Sequence, residues 1–462
     1  MAISKGNLCA RWAARLVFIT AAAMFVSAAT SHVALPPLHP VHEYGFFDLK
    51  VYRHAAGVVN GGQPLYSVKL RRGLGFTYPP FAVLLFLPLT LISLAQSELA
   101  MTLVNVVLVA VAVHAALALG RRVVDAGRSN AGGHRRHGRR RRRRSEATRS
   151  VVSWLATAGS AWGWLAAAAA LWFEPVTSAI GYGQIDLLIA ALAIADLAYG
   201  KRTRARGVGI GLAAALKLTP LVFIPYLALT GRGRIAARAL VAFGLSIVVA
   251  LIVMPSDSLK YWGGKFLDLS RVAGHGHLSG AGVADQSLRG GLLRLLPGIQ
   301  HMGPIWMLAA VLVGAVALLL AVRAARRGDE LWGYLLAAIT GLLMSPVSWT
   351  HHWAIVVPGA LALVVSNRRR PLVGLFSGAA AFAFAFEGYK LWPLITHKPA
   401  LVHFAGSGQL LASLYVLGGL AAIAIAAALD LRLTLAHRRL GSRTRRPHPQ
   451  PLRVLPEPAS GP

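Results

Sequence analysis

Cysteine is almost missing from this chain. One residue, Cys9, stands among 462, which excludes an intramolecular disulfide and any cysteine-built metal cluster. Acidic residues are scarce too, with 16 Asp and Glu against 48 Lys and Arg and a net charge of +32. Charged residues of both signs make up 14% of the chain and apolar ones 56%, whereas a soluble globular domain carries roughly 25% and 45–50%. That balance excludes an ordinary soluble enzyme. No Gly-rich loop ends in Lys-Ser/Thr and no Gly-x-Gly-x-x-Gly follows a strand pattern, which disfavours a nucleotide-driven pump. The longest polar loop, 255–303, has 49 residues, too few for the α/β domain of a soluble nucleotide-sugar transferase.

What is present is hydrocarbon-length apolar sequence. Twelve blocks run approximately over 12–34, 79–95, 98–119, 151–172, 176–199, 207–229, 236–254, 304–322, 331–347, 353–366, 372–388 and 409–430, and about 20 residues cross a bilayer. The chain reads as an all-α polytopic membrane protein of about 10–12 transmembrane helices. Twelve crossings would export the arginine-rich loop 120–150 and the cluster 201–206, against the positive-inside rule. Pro79, Pro80 and Pro88 in one block, and Lys217, Pro220 and Pro225 in another, break straight helices. If those two blocks are re-entrant, ten crossings remain and every basic cluster becomes cytoplasmic. In both arrangements 35–78, 255–303, 345–352 and 389–408 face away from the cytoplasm. The domain organisation follows: 1–34 as cytoplasmic N-terminus and uncleaved signal-anchor span, 35–78 as a first periplasmic loop, 79–430 as the multi-span domain and 431–462 as a basic, Pro-rich tail. Residues 123–150 and 441–462 lack an apolar period and read as disordered. Nineteen of the 48 basic residues lie in 121–149 and 432–462. Membrane-edge placement of the remainder favours loops facing anionic lipid over nucleic-acid binding.

Outward-facing polar residues are where chemistry can reside. Asp48 begins an amphipathic stretch running to about Val59. It can cap that helix, or act at the membrane surface as a general base towards an acceptor hydroxyl. Tyr78 precedes Pro79-Pro80 as an interfacial aromatic. Gly181-Tyr182-Gly183-Gln184-Ile185-Asp186 opens an apolar block with polar groups, a pattern that also serves helix–helix hydrogen bonding and close packing. Lys217 lies within an apolar block, where a cation calls for a buried anionic partner, either a lipid phosphate or a protein carboxylate. In Ser345-Pro346-Val347-Ser348-Trp349-Thr350-His351-His352-Trp353, adjacent histidines diverge by about 100° on a helix and lack a third ligand at i+4, so contacts to phosphate or sugar fit better than zinc. Trp349 and Trp353 offer flat faces to a sugar ring; an aromatic belt is the simpler alternative.

Seven motifs in order carry a resemblance: Phe47-Asp48-Leu49-Lys50-Val51-Tyr52, Pro64-Leu65-Tyr66, Phe76-Thr77-Tyr78-Pro79-Pro80, Gly183-Gln184, Lys217-Leu218-Thr219-Pro220, Asp285-Gln286-Ser287 and the segment 345–352. Over roughly residues 40–365 the chain resembles the membrane-embedded α-mannosyltransferases of glycosyltransferase family 87, which include mycobacterial polyprenyl-phosphate-mannose-dependent enzymes of phosphatidylinositol mannoside and lipomannan synthesis. The resemblance implies a GT-C fold, an active site on the periplasmic face of the plasma membrane, a polyprenyl-phosphate-mannose donor, a lipid-linked mannoside acceptor and inverting, α-1,2-type transfer. It implies Asp48 as catalytic base. Donor or acceptor contacts are expected from Tyr52, Tyr78, Gln184, Lys217, Gln286, Arg289, Trp349, His351 and His352. Asp285 departs from the Asn more usual at that position, so no catalytic role is expected of it. No metal or other cofactor is required, since polyprenyl phosphate leaves as a stable anion. A lipid or sugar transporter is the alternative, because broken helices with a charge at membrane depth also mark substrate pathways; the lack of matching inverted halves tells against it.

Overall fold

The computed structural model describes residues 5–31, 44–66, 75–131, 160–199, 205–268, 282–296, 298, 302–366 and 407–444. Among them the regular structure is helical, with one isolated bridge between Asp285 and Trp349. In chain order the helices are α1 (Lys5–Ser31), α2 (Phe47–Asn60), α3 (Pro80–Leu84), α4 (Leu94–Ala131), α5 (Ala161–Leu171), α6 (Glu174–Tyr182), α7 (Asp186–Tyr199), α8 (Val208–Leu216) and α9 (Phe223–Leu229). There follow α10 (Gly233–Val253), α11 (Pro255–Trp262), α12 (Leu288–Leu295), α13 (Met302–Arg326), α14 (Glu330–Met344), α15 (Val357–Ser366), α16 (Ser407–Leu411) and α17 (Leu414–Thr444).

Five of these, α1, α4, α10, α13 and α17, contain stretches long and apolar enough to cross a membrane. Helix α10 exposes Leu240, Val241, Leu245, Val248 and Ile252, and α13 exposes Leu308, Val311, Leu312 and Leu319. A contiguous face of that kind belongs against lipid rather than water. The bundle is an integral membrane protein, as its composition requires.

The proline-bearing blocks are both broken, and each returns to the level from which it started. Between Tyr78 and Leu94 the chain forms α3 and a 3-10 turn, Leu87–Leu91. Its first end touches α2 through Tyr78 and Tyr52, and its last end accepts a hydrogen bond from Arg53 Nη2 to Ile92 O at 2.6 Å. The second block rises as α8, opens at Lys217 and descends through the turn Thr219–Val222 into α9. It begins beside Arg206 and ends beside Arg232, close enough for the two guanidinium charges to oppose each other. Arg232 pairs with Glu330 at 2.6 Å, Arg326 Nη2 donates to Leu229 O, and Arg323 and Arg327 both hold Asp430. One end of the bundle therefore gathers arginines and the other carries α2.

Helices α4 and α17 continue to Ala131 and Thr444, into sequence that composition alone marks as structureless. Once a span has paid for helix nucleation, each added residue extends it at little cost. The block 372–388, the rest of the arginine-rich loop and the final residues of the tail lie outside the described residues.

Candidate active site

The site is assembled where three helix breaks meet the N-terminus of α2. The chain enters α2 through two left-handed residues, Gly45 (φ 57°) and Phe46 (φ 48°). For a buried phenylalanine this conformation costs roughly 1–2 kcal/mol. It turns the Phe46 N–H onto Gly181 O at 2.9 Å and so docks α2 against the end of α6. Helix α6 stops at Gly183, whose φ of 70° suits glycine. A Cβ there would lie 2.6 Å from Leu49 Cβ, so glycine is also what permits this close approach of α2. Asp48, in the first turn of α2, is thereby aimed at the gap between α6 and α7. Among the described residues no side chain caps α2; the Asp48 carboxylate bonds across to Gln184, between α6 and α7.

Gln184 occupies that gap and receives or donates at every polar atom. Its Oε1 accepts from the hydroxyls of Tyr52 (2.6 Å) and Tyr78 (2.8 Å), themselves 3.1 Å apart. Two O–H donors on one oxygen fix the amide orientation. Its Nε2 then donates to Asp48 Oδ2 at 2.7 Å and to His351 Nε2 at 3.2 Å. An accepting Nε2 puts the His351 proton on Nδ1. Asn105 of α4 adds a bond from Nδ2 to Gln184 O at 3.1 Å. Asp48 Oδ1 makes no hydrogen bond among the described residues and is left to face an incoming group. Burial pushes the Asp48 carboxyl up to about 6; the Gln184 bond and Lys217 oppose the rise and Asp186 adds to it. Such a group is mostly ionised at pH 7 and is strong enough to take a proton.

Lys217 stands beside this network. Its ammonium bonds Asp186 Oδ1 at 2.6 Å and lies 5.5 Å from the Tyr78 ring centre. Of the two partners open from sequence, the protein carboxylate is the one present. The histidine turn is held by a backbone staple: Gln286 N–H to Ser348 O (2.7 Å) and Thr350 N–H to Ala284 O (3.0 Å). Asp285 Oδ1 accepts from the Ser287 and Ser348 amides and so joins the loop to the turn. His351 and His352 meet edge to face at 4.6 Å, and Tyr182 covers His351. Burial, reinforced by the charge of Lys217, holds both imidazoles neutral at pH 7.

A third metal donor does reach the histidines from a distant part of the chain, since Asp186, His351 and His352 bring ligand atoms within 4.8 Å of one another. The chemistry of the set favours an ion pair over a metal. Lys217 already places a cation on the Asp186 carboxylate, and the Trp349 N–H donates to His352 Nδ1 at 3.2 Å, leaving the ring proton on Nε2.

Asp48, Tyr52, Tyr78, Gln184, Lys217, His351 and His352 thus converge. Tyr52, Tyr78 and Gln184, expected to touch substrate, spend their polar atoms on one another and on Asp48. Gln286 is a correction: its Nε2 donates to Val283 O and Ala412 O and its Oε1 accepts from Tyr415 N–H, so its amide ties a loop to α16 and α17. Arg289 has a buried Nη1 without a partner among the described residues, and no contact joins it to Asp48 or the histidines. Trp349 is partly exposed at the start of the histidine turn. Asn105 was missed; a lone amide inside the apolar run Val104-Asn105-Val106 was the signal.

The family model of glycosyltransferase family 87 matches residues 76–346, more than half of the chain. A Mycobacterium tuberculosis polyprenol-phosphate-mannose-dependent alpha-(1-2)-phosphatidylinositol mannoside mannosyltransferase is 30% identical over 334 residues, covering 71% of this chain and 72% of that protein. A polyprenol-phosphate-mannose-dependent alpha-(1-2)-phosphatidylinositol pentamannoside mannosyltransferase of the same species is 31% identical over 392 residues, 82% of this chain and 81% of its own length. A Mycolicibacterium smegmatis phosphatidylinositol mannoside mannosyltransferase is 30% identical, with 76% of each chain covered.

Proposed function

The chain belongs to glycosyltransferase family 87, and from that premise we propose that it transfers mannose from polyprenyl-phosphate-mannose to a phosphatidylinositol mannoside, with α-(1-2) linkage, at the outer face of the plasma membrane. The relatives' printed activities support donor and acceptor. One observation carries the mechanistic part: the chain Asp48–Gln184–His351, built from the N-terminus of α2 and two helix breaks, holds a carboxylate with one oxygen fixed and the other open.

In this reading the acceptor hydroxyl approaches Asp48 Oδ1, which takes its proton as the oxygen attacks C1 of mannose. The bond from C1 to the phosphate oxygen breaks on the opposite face, so a β-linked donor gives an α-product. Polyprenyl phosphate leaves as an anion. Lys217 has ammonium donors beyond the one engaged by Asp186, and His352 has its Nε2 proton; both are placed to stabilise developing phosphate charge. Gln184 is a positioning residue that sets the direction and basicity of Asp48. The transporter alternative rests on broken helices with a charge at membrane depth; Asp186 gives that charge a protein partner, and the relatives' printed activities favour transfer.

Transfer of labelled mannose to extracted lipid acceptors in membranes carrying the chain or its Asp48→Asn variant tests the proposal. Loss of about 10²–10⁴-fold is expected for removal of a general base, with insertion unchanged. Full activity of Asp48→Asn would remove Asp48 as base, and no transfer by the parent chain would remove the donor and acceptor assignment.

A further inference from the structure

The helix that carries Asp48 has a second functional face. At 100° per residue, Lys50, Arg53, His54 and Gly57 fall on the side of α2 opposite Asp48 and Tyr52. They line a groove of about 640 Å³ that is closed on its far side by Thr90 and Leu94, where the re-entrant segment passes into α4. Among the described residues no acidic one lines it. Arg53 is fixed at the groove by bonds from Nε to Leu89 O (3.1 Å) and Nη2 to Ile92 O (2.6 Å), and its Nη1 makes no hydrogen bond among the described residues. Lys50 uses one ammonium donor on Gly45 O at 2.6 Å, which leaves two more. His54 is exposed. Next to the lining residue Thr90, Leu91 is 85% exposed, and Leu85, earlier in the same re-entrant segment, is exposed too, a hydrocarbon-seeking surface.

We propose that this groove binds the phosphodiester of an anionic membrane phospholipid. The occupant follows from two complementary features. A site with three cationic or protonatable side chains and no carboxylate selects a phosphate over a zwitterionic headgroup, and the adjoining leucines select an anion that brings acyl chains over a soluble one. Seated there, the lipid clamps the reverse side of α2 against the re-entrant corner and presses its front face onto Gln184. Headgroup composition then enters the placement of Asp48 without the lipid being a substrate.

The test uses the full chain in phosphatidylcholine nanodiscs containing a minor fraction of phosphatidylglycerol, followed by native mass spectrometry of the lipid retained. The parent should keep phosphatidylglycerol in preference to phosphatidylcholine. The double variant Lys50→Gln/His54→Gln should lose that preference by about 5–10-fold. The variant Lys50→Arg/His54→Arg, and a control removing two positive charges at the arginine-rich end, Arg234→Gln/Arg238→Gln, should keep it. No preference in the parent, or equal loss in the control, would overturn the site. Displacement of the lipid by millimolar soluble glycerophosphate would overturn the lipid as its occupant. Because the readout is binding, these outcomes are independent of whether mannose transfer is observed.

Discussion

The two ends of the bundle use the same chemistry, acid against base, to opposite purposes. At the arginine-rich end, Asp430, its side chain 10% exposed, is shared by Arg323 and Arg327, whose side chains are 50% and 37% exposed, and the helices bearing Arg323 and Asp430 run through the contact. At the α2 end, Lys217 and Asp186 are 11% and 5% exposed and both sit at helix breaks. Water reaches the two arginines of the first contact, which weakens it, and it pins helix ends. The second pair is shielded, and each partner alone would be a stranded charge. Of these two contacts, the more exposed one joins helices that run through it and the shielded one sits where helices break.

The comparison can be broken at the buried end first. Asp186→Asn leaves Lys217 buried and unpaired and should cost about 3–5 kcal/mol, read as a large fall in the thermal midpoint of the purified protein. Asp186→Asn with Lys217→Met should recover much of that stability without recovering transfer; recovery of both would mean that the pair is only structural. Next in size, Gly183→Ala must place a Cβ 2.6 Å from Leu49 at positive φ, and a loss of about 1–3 kcal/mol is expected. Transfer should fall further than stability, because α2 is pushed off Gln184.

Gln184→Leu probes the site without unfolding it. With Asp48 near 6, parent activity should fall as pH drops through about 6, since a base must be unprotonated. The Gln184 bond favours the carboxylate, so its loss should move that acid limb to higher pH; an unmoved limb would separate Asp48 from the titration. The smallest effect is expected at the exposed end. Asp430→Asn should cost under about 1 kcal/mol and leave transfer intact, and a loss comparable with Asp186→Asn would erase the distinction between the two ends.

Much of this was legible in sequence because it depends on neighbours in the chain. Pro79-Pro80 and Lys217-Leu218-Thr219-Pro220 announce broken segments through proline's missing donor, and Asp48 stands out because acids are rare. The Gln184 hub was not legible as a hub. Its partners Tyr52, Asp48 and His351 lie 132, 136 and 167 residues away, and a glutamine that binds substrate looks the same in sequence as one that holds a base. Asp186 as the partner of Lys217 failed to emerge for the same reason. Gln286 carried the converse lesson: a residue within a recognisable motif is spent on backbone carbonyls.

Asp285 and the two backbone bonds beside it tie the loop ahead of α12 to the turn bearing His351. The loop and the histidines therefore behave as one lever rather than two parts. A displacement of that loop would carry the imidazoles with it, so the position of one reports the position of the other.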